Sequence, residues 1–496
     1  MLLETPAGVR YTYGQMRALA IRYALGLQAR GVATGERVVA QVDKSPECVA
    51  LYLASLSIGA VFVPLNTAYT LPELGYFLED AKPRVAVLRP QMARDAAAIA
   101  SAVGIAYVET LDASGQGSFT EPAGQQSVTA QREVTPTPDM LAALLYTSGT
   151  TGRSKGAMLS RRNLASNART LAEAWRFKVH DVLLHALPIF HVHGLFVAIN
   201  TVLASASSML FLPKFDPSEV IDLLPRATVM MGVPTFYTRL LELTALTPER
   251  ARSARLFVSG SAPLLPETHR AFLERTGHVI LERYGMSETL MNTSNPYDGE
   301  RVPGSVGPAL PGVELRTSDP ETGVPLTQPD AIGMIEVRGP NVFSGYWRMP
   351  EKTTAEFRQD GFFITGDLGK IDARGYVHIV GRGKDLIITG GYNVYPIEVE
   401  SEIDSLSGVV EAAVIGLPHA DFGEGVTAIV VRANGATLDE QAIRRALETR
   451  LANYKLPKRI IFVPELPRNA MGKVQKGALR EAYRDLHAAQ SAGKGR

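Results

Sequence analysis

Tyr146-Thr147-Ser148-Gly149-Thr150-Thr151-Gly152-Arg153-Ser154-Lys155-Gly156, or YTSGTTGRSKG, consists almost wholly of Gly, Ser and Thr with one Arg and one Lys among them. Such a segment offers a core almost no apolar area, and its glycines cost backbone entropy on ordering. Its hydroxyl and backbone N–H donors, set beside two cations, suit an anion such as a phosphate group. It follows MLAALLY, a short apolar run that reads as a strand, and layered α/β folds hold ligands beyond the carboxyl ends of their strands. It is not the common phosphate loop G-x-x-x-x-G-K-[ST], because Gly152 precedes Arg153 and Lys155 precedes Gly156. The bland alternative is a flexible linker.

Around this loop, through about residue 380, helical patterns alternate with short apolar runs: RVVAQV, VFVPLN, RVAVLR, SMLFLP, ATVMMGVP, RLFVSG and HVILERYG. That alternation implies an α/β fold of stacked layers with mainly parallel sheets. Cys48 to Leu65 is uncharged for eighteen residues, near the length of a membrane span. Gly59 divides it into a helix and a VFVPL strand, so a buried helix and strand are expected instead. After about Arg338 the texture turns to Gly, aromatic and Asp, as in DGFFITGDLGKID, GYVHIVGRGKD and LIITGGYNVYP, which is short-strand, tight-turn material. A compact α/β tail follows, with helices expected at VESEIDSL and LDEQAIRRALETRLANY and strands at EAAVIGL, TAIVVRA and RIIFVPEL. The expected organisation is a large N-terminal domain, 1–384, of two sheets plus a small β-rich subdomain, and a small mobile C-terminal α/β domain, 385–496.

Composition narrows the function. At 496 residues the chain exceeds one ordinary core, and a net charge of +1 without runs of like charge gives no reason to expect nucleic acid or a membrane surface as partner. A single cysteine, Cys48, excludes an internal disulfide framework and fits a cytoplasmic protein. The start, MLLETPAGVRYTYG, lacks the pattern of a signal peptide.

YTSGTTGRSKG resembles the signature loop of the adenylate-forming superfamily, which includes acyl-CoA synthetases, luciferases and the adenylation domains of peptide synthetases. Further motifs of that superfamily follow in order: SGSAPL (Ser259–Leu264), YGMSET (Tyr284–Thr289), TGDLG (Thr365–Gly369), GRGKD (Gly381–Asp385) and PRNAMGKVQK (Pro467–Lys476). The resemblance covers practically the whole chain. The clearest of a few departures is at the start, where similar chains have a short helical segment ahead of YTYGQM and here only MLLETPAGVR precedes it, which puts the stability of the first layer in question.

The resemblance implies ATP, Mg²⁺ and coenzyme A as co-substrate. It assigns Thr147, Ser148, Gly149, Thr150, Thr151, Gly152 and Lys155 to the ATP phosphates, and Glu288 with Thr147 to Mg²⁺, a hard cation held by oxygen ligands. It sets Tyr284 against adenine, with Gly260, Ser261, Ala262 and Pro263 as the close wall and Glu282, Gly285, Met286 and Ser287 around the nucleotide. Ser287 stands where similar chains have Thr, so the hydroxyl is kept. Asp367 and Arg382 are implied at the ribose, although an Asp here could simply cap a turn. Lys473 is implied as the catalytic lysine that meets the carboxylate and α-phosphate, and Asp385 as the hinge. Gly390 and Gly391 are implied to line the channel for the CoA thiol. Pro457-Lys458 precedes Lys473 at a spacing similar to enzymes regulated by lysine acetylation, which makes an acetyltransferase acting on Lys473 a partner to test.

His191 and His193, in PIFHVHG, would share a face on a strand, but two imidazoles without a third ligand make a poor zinc site. The resemblance places His191 at the acyl pocket and leaves His193 a structural role. Similar proteins for apolar acids have a neutral residue before Tyr-Gly, whereas this chain has Arg283. A buried Arg requires an anion, which is either the second carboxylate of a diacid or an internal partner such as Glu282. LPIFHVHGLFVA, MGVPTFYTRL and NVFSGYWRMPEKT resemble the malonate-activating branch of the superfamily, implying malonate first and methylmalonate more slowly, with Arg283, His191, Ser261 and Met286 at the acid. The alternatives are another short acid or diacid, a stand-alone enzyme loading a carrier protein, and a non-catalytic nucleotide sensor.

Overall fold

The computed structural model describes residues 1–121, 134–147, 154–390, 392–419, 422–469 and 472–487. All seven apolar runs quoted above form strands. A six-stranded sheet runs Tyr107–Thr110, Val85–Leu88, Arg37–Gln41, Val61–Pro64, Leu141–Thr147, Lys155–Ser160, parallel except for its last pair. An eight-stranded sheet runs Leu290–Ser294, Leu281–Met286, Leu256–Ser259, Val229–Gly232, Val182–His185, Ser208–Phe211, Leu3–Glu4, Arg10–Tyr11, parallel except at its two edges.

Strand alternation makes the layers. Val38 and Ala40 point into the core that the two sheets share, while Val39 points outward to Leu74, Phe77 and Leu78 of helix Leu71–Ala81. Leu183 and Leu184 divide the other sheet in the same way. The Cys48–Leu65 stretch becomes helix Pro46–Ser57, with Ser45 accepting from the Cys48 N–H, then Gly59 at φ +73° and strand Val61–Pro64. Among the described residues no helix is long and apolar enough to cross a membrane.

The β-rich part is an antiparallel four-stranded sheet of Glu314–Ser318, Gly333–Arg338, Phe363–Ile371 and Val377–Arg382. The C-terminal part has its own five-stranded sheet, with apolar clusters on its two sides: Val426, Ala428 and Val430 face one, Ile429 and Val431 the other. One helix is shorter than its periodicity suggests. It spans Glu440–Glu448, with Asp439 as cap, and then gives way to a single 3-10 turn, Asn453–Lys455. Burying both Leu447 and Leu456 against the sheet requires the chain to leave the helix between them.

Candidate functional site

The opening loop joins two paired strands, for Leu141–Thr147 returns as Lys155–Ser160 with Thr147 opposite Lys155. Sequence reading found the first strand and missed the second, since KGAMLS is too short and mixed to show an alternation. Ser148, Gly149, Thr150, Thr151, Gly152 and Gly391 lie outside the described residues.

Thr147 faces a second hairpin. Strands Leu281–Met286 and Leu290–Ser294 are joined by a tight turn that carries Ser287 and Glu288. The approach is so close that a Cβ on Gly285 would lie 1.9 Å from the Leu290 carbonyl oxygen, which explains the glycine. Glu288 is 6% exposed, and its Oε1 accepts from Thr147 Oγ1 at 3.3 Å and Tyr346 Oη at 3.1 Å. Tyr346 Oη also lies 2.7 Å from Glu356 Oε2, and Lys155 Nζ stands 3.4 Å from Glu356 Oε1 and 4.2 Å from the Tyr346 ring centre. Burial raises the Glu288 pKa. Tyr346 and Glu356 received no role from sequence, although NVFSGYWRMPEKT drew attention to that stretch.

Asp367 and Arg382 stand opposite each other on adjacent strands, with Arg382 Nε 2.6 Å from Asp367 Oδ1. The other carboxylate oxygen accepts from the Tyr284 hydroxyl at 2.6 Å. Burial and then this carboxylate raise the Tyr284 pKa, so the phenol keeps its proton.

Gly260 to Pro263 form the irregular link between strand Leu256–Ser259 and helix Pro266–Thr276, at the carboxyl end of a parallel strand. Arg283 lies against this link, 3% exposed. Its Nη2 donates to Ser261 Oγ at 3.4 Å, and Ser261, at φ +74°, occupies a backbone region that non-glycine residues rarely adopt. Among the described residues no carboxylate pairs with Arg283, and its Nε has no acceptor. Glu282 accepts instead from the Gly304 N–H at 3.3 Å, and burial raises its pKa to about 8. Burial likewise lowers that of Arg283 to about 9.

His191 and His193 are not on a strand: His193–Ile199 is a π-helix, a conformation found often at functional sites. The His193 backbone N–H points at His191 Nδ1, 3.4 Å away. Burial first, then the charges of Lys473 and Arg283, lower the His191 pKa to about 3. The ring is therefore neutral, and with Nδ1 as acceptor its proton sits on Nε2. Ser261 Oγ lies 3.4 Å from His193 Nδ1, and His193 Nε2 has no partner among the described residues.

Lys473 comes from the C-terminal part and is half-buried. Burial lowers its pKa to about 8, helped by Arg382 and Arg283 and opposed by Asp367 and Glu288. Lys473 is thus near enough to Arg382, Asp367, Glu288, Arg283 and His191 for their charges to act on one another. Gly390 is elsewhere, on the hairpin of Ile387–Thr389 and Tyr392–Val394, where Ile388 and Tyr392 are exposed. Asp385 forms an ion pair with Arg480 of helix Lys476–Ala482. Among the described residues no group of three or more His, Cys, Asp or Glu side chains is placed to hold a metal by itself.

Residues 3–347 match the AMP-binding enzyme family, and residues 398–473 match the AMP-binding enzyme C-terminal domain. The crystal structure of ATP-bound MatB from Rhodopseudomonas palustris is 62% identical, with a TM-score of 0.95, covering 98% of this chain and 96% of that one. A malonate–CoA ligase of Arabidopsis thaliana is 34% identical, over 96% of this chain and 85% of the relative. An indoleacetate–CoA ligase of Aromatoleum aromaticum is 35% identical, over 95% and 92%. With both matched regions and the whole fold in agreement, the chain belongs to the AMP-binding enzyme family, as a CoA ligase of the adenylate-forming superfamily.

Proposed function

We propose that this enzyme joins malonate, and more slowly methylmalonate, to coenzyme A through a malonyl-adenylate, releasing pyrophosphate and then AMP. The observation that carries the acid is Arg283, a buried guanidinium without a carboxylate partner among the described residues. An unpaired buried charge costs several kcal/mol, which a ligand carboxylate offsets. A monoacid cannot supply that charge while its only carboxylate is being activated. The internal pairing with Glu282 loses support, since Glu282 faces the Gly304 N–H. Malonate's far carboxylate then lies on Arg283 and Ser261, its near one toward His191 and Lys473. Met286, next to the Glu288 turn, borders the same space.

A carboxylate resists attack by a thiol because oxide would have to leave; linkage to AMP supplies a better leaving group. Lys473 puts positive charge where the α-phosphate and carboxylate accumulate negative charge, a kind of contact worth about 3 kcal/mol per donor. Thr147, Lys155 and the loop between them hold the β- and γ-phosphates. Glu288 and Thr147 offer adjoining oxygens, and a carboxylate buried against its own ionisation favours a cation. They fit Mg²⁺, whose charge neutralises the phosphates when bound. Asp367 and Arg382 take the ribose, exchanging their mutual contact for it, and Tyr284 lies along adenine against Gly260 to Pro263. For the thiol step the C-terminal domain turns about Asp385, between the last strand of the four-stranded sheet and the first of the five-stranded one, bringing Gly390 and Gly391 to the channel. Acetylation of Lys473 would remove its charge. A single cysteine fits a cytoplasmic location for this reaction.

Malonate-dependent exchange of pyrophosphate into ATP, followed by a CoA-thioester assay, tests this reading. Exchange with thioester formation supports it; exchange with transfer only to a carrier protein would favour a loading enzyme. Exchange with a monoacid but no diacid would overturn the choice of acid, and no exchange with any acid would leave only a nucleotide-binding role.

A further inference from the structure

The loop that carries Lys473 is assembled within the C-terminal part. Asn469 N–H donates to the Lys473 carbonyl at 2.9 Å, Asn469 Oδ1 accepts from the Lys473 N–H at 3.0 Å, and the Gly472 N–H donates to the Asn469 carbonyl at 2.9 Å. Arg468 adds a contact to the Gly472 carbonyl, forms an ion pair with Glu411, and pairs by its backbone with Val474. Gly472 sits at φ +72°, so the turn needs glycine for its backbone alone.

The same glycine is also the point where the loop meets the large domain. A Cβ placed on Gly472 would lie 3.0 Å from Thr235 Oγ1 and 3.3 Å from Thr235 Cγ2. Thr235 stands at the start of a helix. It is in the first turn of helix Pro234–Leu241, directly after strand Val229–Gly232 of the eight-stranded sheet, and its neighbour Phe236 stacks on Phe215 at 3.8 Å between ring centres. Gly472, tied to Asn469 by a hydrogen bond, abuts a helix start one residue before the lysine, and that contact sets how deeply the ammonium reaches.

We propose that Thr235 is a positioning residue for adenylation: it is the seat on which the Lys473 loop stops, acting through Gly472 and touching neither acid nor nucleotide. The inference rests on the reading of Lys473 as the adenylation lysine. Because the C-terminal domain leaves this arrangement for the thiol step, Thr235 matters for the first half-reaction and not for the second.

The test compares Thr235→Leu, which adds bulk at the seat, with Thr235→Val, which keeps the shape and removes the hydroxyl. Two rates are measured: malonate-dependent pyrophosphate exchange, and conversion of synthetic malonyl-adenylate to malonyl-CoA. Misplacing a reacting group by about 1 Å costs up to about 10²-fold, so Thr235→Leu is expected to lose at least about tenfold in exchange. Its conversion of the preformed adenylate and its melting temperature should stay near wild type, and Thr235→Val should retain exchange. Equal loss in both half-reactions would mean that residue 235 shapes the acyl pocket, and unchanged exchange in Thr235→Leu would mean that the contact positions nothing; either result overturns the proposal. Lys473→Ala run in parallel separates the premises: if it adenylates normally, the lysine's role fails, whereas its loss beside an unaffected Thr235→Leu sinks only the seat.

Discussion

Arg283 lies so close over Gly260 that a Cβ added to the glycine would stand 2.6 Å from Cζ of the guanidinium. The strand that ends at Ser259 and the strand that carries Arg283 are neighbours in one parallel sheet, and this contact fixes the guanidinium's height above their ends. Gly260→Ala should therefore displace the charge while leaving the residue in place. The expected result is a malonate KM raised about tenfold or more with a smaller change in the KM for ATP, and a stability loss of about 1–3 kcal/mol from overpacking. Steady-state kinetics and thermal unfolding check both.

One phenolic proton serves two carboxylates at Tyr346, which lies within hydrogen-bonding distance of both Glu288 and Glu356. Tyr346→Phe removes a donor that helps to lower the Glu288 pKa, so Glu288 becomes easier to protonate. A hydrogen bond to a charged group contributes about 1.5–3 kcal/mol, which predicts a loss of about tenfold in exchange at limiting Mg²⁺. The loss should be greater at pH 6 than at pH 8, because the protonated fraction grows as pH falls. An equal loss at both pH values would separate Tyr346 from Glu288 ionisation.

Adenylation should decline on the alkaline side. The Lys473 pKa is lowered to about 8 by burial and then by Arg382, and the charged form is the useful one. The kcat/KM for malonate in the exchange assay, which reports the free enzyme, should fall as pH rises through about 8. Lys473→Arg, which stays charged, should lose that limb even if slower overall. His191, with its pKa lowered to about 3, contributes no step between pH 5 and 9. An unchanged alkaline limb in Lys473→Arg would assign it to another group.

Much of this was legible because the signals were local. Strand runs such as ATVMMGVP, and the break at Gly59, follow from alternation and turn chemistry within a few residues. The motif residues Glu288, Asp367, Arg382 and Lys473 were placed by resemblance, and the fold gathers them from strands and loops far apart in the chain. What escaped the sequence depends on pairing across the chain. The return strand Lys155–Ser160 is defined only by its partner, and Tyr346 and Glu356 acquire interest only because their segment folds back against Glu288. The π-helix at His193 was also invisible, since a π turn has no periodicity of its own over seven residues. Glu282 looked like a ready partner for Arg283 because it is adjacent, yet neighbours on a strand point to opposite faces.

If Arg283 holds the second carboxylate, its removal should cost diacids and spare monoacids. The deciding measurement is pyrophosphate exchange for acetate, butyrate, malonate, methylmalonate and succinate with wild type and Arg283→Ala. Malonate is expected to be preferred, methylmalonate next, and the Arg283→Ala loss, of about 10²-fold or more in kcat/KM, confined to the diacids. Equal loss for acetate, or malonate turnover that survives the substitution, would contradict that role for Arg283.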